Sequence, residues 1–354
     1  MPARVMAPAG GPLQRLSAGL QRQWWITPPT CTAQALRPLA GLYSLLAHLH
    51  RLLARPQRSD VPVIVVGNLI AGGAGKTPTT IAVVRLLRAF GWHPGVVSRG
   101  HGRRGQGLMA VSRDSLAREC GDEPLLIRLR TGMPVMVSSD RVAAARALLA
   151  AHPEVDIIVA DDGLQHHRLA RDLQIVVFDE RGAGNGLALP AGPLRAPLPT
   201  AVPPATLVLY NAQRASTALP GWRATRRLAG VLSLADWWQG QSPQAASWRA
   251  LQRVPVLAAA GMATPERFFS QLRRQGMQLT RTLALPDHYA FETLPWPADT
   301  ADVIVTEKDA VKLRPASLPT SNASTRIWVA PLDFEPEVAF AAALKRHYPH
   351  PPQH

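Results

Sequence analysis

Two clusters in this sequence combine the residue types that phosphate chemistry requires. The run Ile70-Ala71-Gly72-Gly73-Ala74-Gly75-Lys76-Thr77 places flexible backbone ahead of one amine and one hydroxyl. Backbone N–H groups at Gly72, Gly73 and Gly75 can converge on phosphate oxygens, Lys76 can bridge the outer phosphates, and the Thr77 hydroxyl can ligate Mg²⁺. The usual loop of this kind has Gly where Ile70 stands. The second cluster, Asp161-Asp162, closes the apolar run Ile157-Ile158-Val159-Ala160. Paired acids at the end of a strand hold Mg²⁺, or a water in its shell, in phosphoryl-transfer enzymes. An Asp that caps the next turn is the alternative for either one. We assign Asp161, with Thr77, to the metal and Asp162 to the catalytic set. Arg99, in Ser98-Arg99-Gly100-His101-Gly102, can serve phosphate or substrate, or belong to a simple turn. Arg141 can grip a phosphate oxygen bidentately or be a surface helix charge. Glu307 and Lys308 follow another apolar run, Val303 to Val305, and are open to a functional or a structural reading.

These side chains must be held by strands and helices of a definite kind. Pro62 to Gly67 is a short β-branched run suited to a buried parallel strand, and Pro78 to Phe90 has helical periodicity, with Pro78 in a first turn that needs no N–H from it. Strand, glycine loop and helix together form the context of a P-loop, so the chain is expected to bind ATP or GTP. Further strands are expected at Gly95 to Ser98, Val155 to Ala160, Leu173 to Phe178 and Ala205 to Tyr210, with a helix over Asp140 to Ala151. The fold class is therefore α/β, a P-loop NTPase-like, mainly parallel sheet with helices on both faces. The acids and Arg99 then lie at the carboxyl ends of strands, where such sheets bind ligands. Val254 to Ala260, a helix from Thr264 to Gln275, and strands at Val303 to Val305 and Arg326 to Val329 predict a smaller second α/β domain. Between Pro203 and Pro255 the pattern weakens into Arg- and Trp-bearing sequence, read as the crossing between domains. The expected segments are 1–57, a basic leader with an amphipathic helix; 58–225, the P-loop domain; 226–348, the smaller domain; and 349–354, a frayed tail.

Composition supports this and removes other classes. The chain has 354 residues, 47% hydrophobic and 18% charged, which excludes a disordered tail and a multi-span membrane protein. Its two cysteines cannot build a disulfide scaffold. The formal charge is +15, and no Asp or Glu precedes Asp60, whereas Arg4, Arg15, Arg22, Arg37, Arg51, Arg55 and Arg58 do. Within this leader, Leu39, Leu42, Tyr43, Leu45, Leu46, Leu49, Leu52 and Leu53 recur at helical spacing. The uncharged stretch Pro38 to His50 is shorter than the roughly 20 residues of a membrane span, and it lies too far from Met1 for a secretory signal. An organellar transit peptide, a helix packed on the domain behind it and a helix on an anionic membrane surface remain. Pattern alone favours the packed helix; Trp24 and Trp25 upstream favour a membrane interface.

Several blocks run in an order that resembles the tetraacyldisaccharide 4′-kinase family. They are Val65-Val66-Gly67-Asn68-Leu69 continuing to Gly75-Lys76-Thr77-Pro78, then Val97-Ser98-Arg99-Gly100-His101-Gly102, Gly121-Asp122-Glu123-Pro124 and Asp161-Asp162-Gly163-Leu164-Gln165-His166. Gly184-Asn185-Gly186 leading to Leu189-Pro190-Ala191-Gly192-Pro193-Leu194-Arg195, then Asp287-His288, and Val305-Thr306-Glu307-Lys308-Asp309-Ala310-Val311-Lys312 complete the set. The likeness covers about residues 35–315. The family's own loop lacks the early Gly, which accounts for Ile70; His101 stands where Tyr is usual, and Ala196 where Glu is usual.

The resemblance implies ATP-dependent phosphorylation of the 4′-hydroxyl of a tetraacylated glucosamine disaccharide 1-phosphate in lipid A biosynthesis. It implies ATP and Mg²⁺ as cofactors, and the acylated disaccharide lipid and the inner-membrane surface as partners, with no nucleic acid expected. The place would be the cytoplasmic face of the bacterial inner membrane, with peripheral or monotopic attachment, and the leucine helix then becomes a membrane anchor. It also implies that Asp122 is the catalytic base, His288 its partner from the second domain, and His166 a site residue. Read from the residues alone, Asp122 is a helix N-cap and His288 a loop histidine. Two other functions stay open on the residues: a regulatory P-loop NTPase that uses its positive charge on a protein or nucleic acid, and a ligase-like enzyme that activates a carboxylate.

Overall fold

The computed structural model describes residues 19–318 and 324–351. Arg4 and Arg15 of the basic leader, and the last three residues of the tail, lie outside them. The sheet strands are β1 (Val63–Gly67), β2 (Pro94–Ser98), β3 (Met109–Val111), β4 (Val135–Val137), β5 (Ile157–Asp161), β6 (Leu173–Asp179), β7 (Thr206–Asn211), β8 (Trp222–Leu228), β9 (Leu232–Ser233), β10 (Val256–Ala260), β11 (Leu279–Ala284), β12 (Asp302–Thr306), β13 (Arg326–Ala330) and β14 (Leu332–Pro336). Nine of them form one sheet in the order β14-β8-β7-β6-β1-β5-β2-β4-β3, parallel except where the edge strands β14 and β3 join. β1 lies between β5 and β6, so the glycine loop that follows it opens in the middle of the carboxyl edge.

The main helices are α1 (Arg37–Leu53), α2 (Lys76–Ala89), α3 (Asp122–Thr131), α4 (Arg141–Ala151), α5 (Pro265–Arg274), α6 (Glu307–Ala310) and α7 (Val338–His347). Each central strand is buried on both faces, and alternate residues feed different cores. Ile64 and Val66 of β1 pack with Ile81, Val84 and Leu87 of α2. Val63 and Val65 pack on the other side with Val142, Ala145 and Leu148 of α4. This double covering is what makes the β-branched runs read as continuous apolar strands.

The smaller sheet has the order β11-β10-β12-β13-β9 and carries α5 against it. The chain crosses into it after β8 and returns before β14, and Ala229 N–H donates to Pro331 O at 2.9 Å where the two crossings meet. The expected boundary at 225/226 therefore falls inside β8, and residues 332–348 return to the large unit rather than staying with the small one. β8 escaped notice because it lies near an edge: Arg223, Thr225 and Arg227 face solvent, giving a polar alternation in place of an apolar run.

α1 shows a second difference. It sets Ala40 and the partly buried Tyr43, Ser44 and Ala47 toward the body, and Tyr43 Oη donates to Arg195 O at 3.3 Å. The leucines point the opposite way: Leu42, Leu46, Leu49 and Leu53 are all exposed, Leu53 by 80%. Trp24 and Trp25 instead pack on the large unit. The Trp24 indole N–H donates to Pro190 O at 3.0 Å, and the Arg181 guanidinium lies 4.4 Å from the Trp25 ring centroid.

Candidate active site

The glycine loop leaves β1 and turns into α2 through Gly75, whose φ is +92°. A Cβ there would also stand 2.1 Å from Asn211 Nδ2, so two independent constraints demand glycine. Side chains from neighbouring strand ends hold the loop by its carbonyls. Asn68 Nδ2 donates to Gly72 O at 3.0 Å, Arg181 Nη2 to Gly73 O at 2.6 Å and Asn211 Nδ2 to Ala74 O at 3.2 Å. With these carbonyls taken and the Ala71 N–H bonded to Pro193 O, the N–H groups of Gly72 to Gly75 are the ones placed to meet an anion. Ile70 is fully buried with Ala74 and Leu194, so its side chain anchors the loop and is not a ligand contact. Lys76 Nζ is 3.4 Å from Asn68 Oδ1 and 3.7 Å from Asp162 Oδ1, in the place a phosphate would share.

Asp161 ends β5 beneath this loop, 1% exposed, and accepts from Thr80 Oγ1 at 2.8 Å and Ser98 Oγ at 3.3 Å. Burial, with the charges of Glu123 and Asp162, pushes its pKa up to about 7. Asp162 adopts φ +49°, and its buried Oδ1 lacks a hydrogen-bond partner. An acid crowded by acids and an oxygen left unsatisfied are the conditions that a hard divalent cation relieves, and a Mg²⁺ bound mainly by phosphates needs only one or two carboxylates. The residues present fit such an ion.

On the facing side, the structure brings Asp122 and His288 together from the two units. Asp122 opens α3, behind Gly121, the N-cap residue at φ +97°. Asp122 is thus the first helical residue and not the cap expected from the sequence. Its Oδ2 lies 3.0 Å from His288 Nδ1 and 3.6 Å from Lys312 Nζ, which leaves Oδ1 for another partner. Burial by itself would raise the Asp122 pKa, but the His288 hydrogen bond and the charges of Lys312 and Lys308 outweigh it and hold the carboxyl below its usual range. His288 sits at φ +60°, a conformation kept only where surrounding contacts impose it. Lys308 Nζ approaches His288 Nε2 at 3.4 Å, Asp287 Oδ1 at 3.0 Å and Glu123 Oε1 at 3.8 Å.

Gly73 to Thr77, Glu123, Asp287 and Lys308 line one cleft of about 400 Å³ between the units, and Asp122 and His288 adjoin that wall. Below it, Glu307 is buried and accepts from Arg130, from Trp237 Nε1 at 3.0 Å and from Leu332 N at 2.9 Å. Both Glu307 and Lys308 border the cleft, but Glu307 is a latch between units, whereas Lys308 turns to Glu123, Asp287 and His288.

Other expected contacts fall elsewhere. Arg141 is buried, with Nη1 on Ser138 O and Ser139 O and Nη2 on Asp162 O at 3.3 Å. It is neither a surface charge nor aimed at the cleft; it fixes the backbone that presents Asp162. His166 is half-buried, its pKa lowered to about 4 by burial and then by Arg141, so it is neutral at pH 7. Arg99 is exposed at the end of β2. Sequence reading passed over Asn211, Asp179 and Arg181, which secure the loop. The only signal for them was position, since Asp179 and Asn211 each end a parallel strand at the same edge.

The family model described as Tetraacyldisaccharide-1-P 4′-kinase matches residues 32–348. A curated tetraacyldisaccharide 4′-kinase from Methylibium petroleiphilum is 58% identical over 96% of this chain and 94% of its own length. One from Leptothrix cholodnii is 53% identical over 94% and 97%. Among solved structures, an "apo" form of LpxK from Aquifex aeolicus in complex with ATP superposes with a TM-score of 0.72 at 24% identity, covering 90% of this chain and 99% of that one, which establishes likeness of fold.

Proposed function

The chain belongs to the tetraacyldisaccharide-1-P 4′-kinase family, and from that premise we propose that it transfers the γ-phosphoryl group of ATP to the 4′-hydroxyl of a tetraacylated glucosamine disaccharide 1-phosphate in lipid A biosynthesis. The observation that carries this reading is the facing of two sets of groups across one cleft: a phosphate loop with Lys76 on one wall, and beside the other the Asp122–His288 pair.

Asp122 Oδ1 accepts the hydroxyl proton as the 4′-oxygen bonds to the γ-phosphorus and the bond from that phosphorus to the β-bridging oxygen breaks, releasing ADP. His288 and Lys312 orient Asp122 through Oδ2 and keep it ionised. Lys76 moves from Asp162 to the outer phosphates when they arrive. Thr77 and Asp161 would hold Mg²⁺, directly or through water, and the ion would supply neutralisation of the phosphate charge. Asp162 keeps Lys76 and Arg195 poised, at 3.7 Å from each.

The lipid arrives from a membrane. No described helix is long and apolar enough to cross one. The outward leucine face of α1, on an Arg-rich and acid-free leader, supports peripheral attachment at the cytoplasmic face of the inner membrane.

Asp122→Asn tests the mechanism. Turnover should fall by about 10²- to 10⁴-fold, with the affinity for ATP kept within about two-fold. Wild-type turnover in that variant would remove Asp122 from the role of base.

A further inference from the structure

Arg226 has an inward position and, among the described residues, no hydrogen-bond or ion-pair partner. On β8, Ala224 and Leu228 are buried, and Arg226 lies between them on the same face. The outward face of β8 is basic too, but β14 and the residue after it answer those charges. Arg227 pairs with Asp333 and Glu335, and Arg223 with Glu337. Opposite Arg226, β14 places Phe334. The Arg226 Nε is buried without a hydrogen-bond partner. Asp179, the acid whose field reaches it, is bound by Arg181 at 2.8 Å. A guanidinium does not shed its charge, so an inward arginine among apolar neighbours needs an anion from elsewhere.

Its location says which anion. Arg226 lines the same cleft as Gly73 to Thr77, beside Asn211 and Arg181. β8 runs parallel to β7 with Arg223 opposite Tyr210, and β7 ends at Asn211. Arg226 therefore stands past the carboxyl edge of the sheet, on the cleft that the phosphate loop also lines, in the crevice where such sheets take their ligands. The groups about Asp122 and His288 come from other elements, so the acceptor side is already furnished.

We propose that Arg226 is a polyphosphate-binding residue, its guanidinium donating to β- or γ-phosphate oxygens of the nucleoside triphosphate seated on the Gly72–Thr77 loop. This rests on the kinase reading above and adds a residue to it. Arg226 joins Lys76 in gripping the outer phosphates from the opposite side, with a planar fork where Lys76 offers a point charge.

The test compares full-length wild type, Arg226→Leu, Arg226→Gln and Arg226→Lys for thermal midpoint without ligand and for affinity toward ATP, ADP and adenosine. Without ligand, Arg226→Leu should melt no lower than wild type, because it removes a partly buried charge whose Nε has no partner. Its affinity for ATP and ADP should drop about 10- to 100-fold, the loss of a charge-assisted contact, with adenosine affinity unchanged. Arg226→Lys should recover part of the loss. If Arg226→Leu does not fold, Arg226→Gln carries the same criterion. ATP affinity within two-fold of wild type in a folded Leu or Gln variant would overturn the proposal, and so would equal weakening toward ATP and adenosine. Failure of the wild type itself to bind ATP would be a different result: it would remove the kinase reading and this inference with it.

Discussion

Asp122 illustrates what a residue's surroundings add to its type. From sequence it was a helix cap or, by resemblance, a base; the structure makes Gly121 the cap and gives Asp122 a histidine, a lysine and one free oxygen. A carboxylate whose pKa is held low stays ionised at neutral pH, and its contribution to both activity and stability is lost only as pH falls through that lowered value. Lys312→Met removes one of the charges that hold it down. The acid limb of the kcat/KM profile should then begin at a higher pH than in wild type, which a pH–rate series would read; an unmoved limb would show that Lys312 does not tune the base. Residue types alone did not reveal such partners. Lys308 and Glu307 are adjacent in sequence and looked equally open, yet Lys308 joins the Asp287, His288 and Glu123 cluster while Glu307 is buried as a latch on Arg130, Trp237 and Leu332. Arg141 read as a phosphate ligand or a surface charge and proved to be a buried support for the Asp162 backbone. What separates these cases is long-range packing, which one chain's local pattern does not encode.

At the scale of elements, the motifs bounded by β1, β2 and β5 were legible because buried parallel strands are continuously apolar and their carboxyl ends carry chemistry. β8 and β14 were not, since β14 is an edge strand carrying two acids and β8, beside it, alternates buried residues with arginines that resemble a linker. α1 was legible as amphipathic, but its orientation was not: periodicity shows that leucines share a face, not which way that face turns. The structure turns it outward, with Ala40 and Tyr43 inward. Leu42→Glu, Leu46→Glu and Leu49→Glu combined should therefore weaken binding to anionic vesicles by at least about 100-fold, because each leucine moved from water to hydrocarbon contributes about 1.5–3 kcal/mol. Stability should change by no more than about 0.5 kcal/mol per substitution, as for other exposed positions. Vesicle sedimentation and thermal denaturation measure the two effects; undiminished sedimentation would exclude α1 as the anchor.

For the whole molecule, the two units meet where the reaction would occur, and the chain passes between them twice, at β8 and β14. The Arg130–Glu307 pair, with Trp237 and Leu332 on the same carboxylate, is one polar tie across that junction, beside those of Asp122 and Glu123. Glu307→Ala leaves Arg130 without its acid and should cost about 3–5 kcal/mol of stability, read by denaturant unfolding; a loss below about 1 kcal/mol would mean that the units hold together without it. The formal charge of +15 also acquires a distribution with a purpose. Its acid-free leader lies beside an exposed leucine face, and part of the remainder surrounds the cleft as Arg181, Arg226, Lys76 and Lys308. That arrangement suits an anionic lipid surface and anionic reactants better than a nucleic-acid groove.

The central claim is phosphoryl transfer to the sugar lipid, and it is tested most directly with γ-labelled ATP, Mg²⁺ and a tetraacyl disaccharide 1-phosphate in mixed micelles, followed by analysis of the lipid product. The account predicts label on the 4′-oxygen in step with ADP release, with both reduced together in Asp122→Asn. ATP hydrolysis without label in the lipid, or turnover stimulated only by nucleic acid, would contradict it.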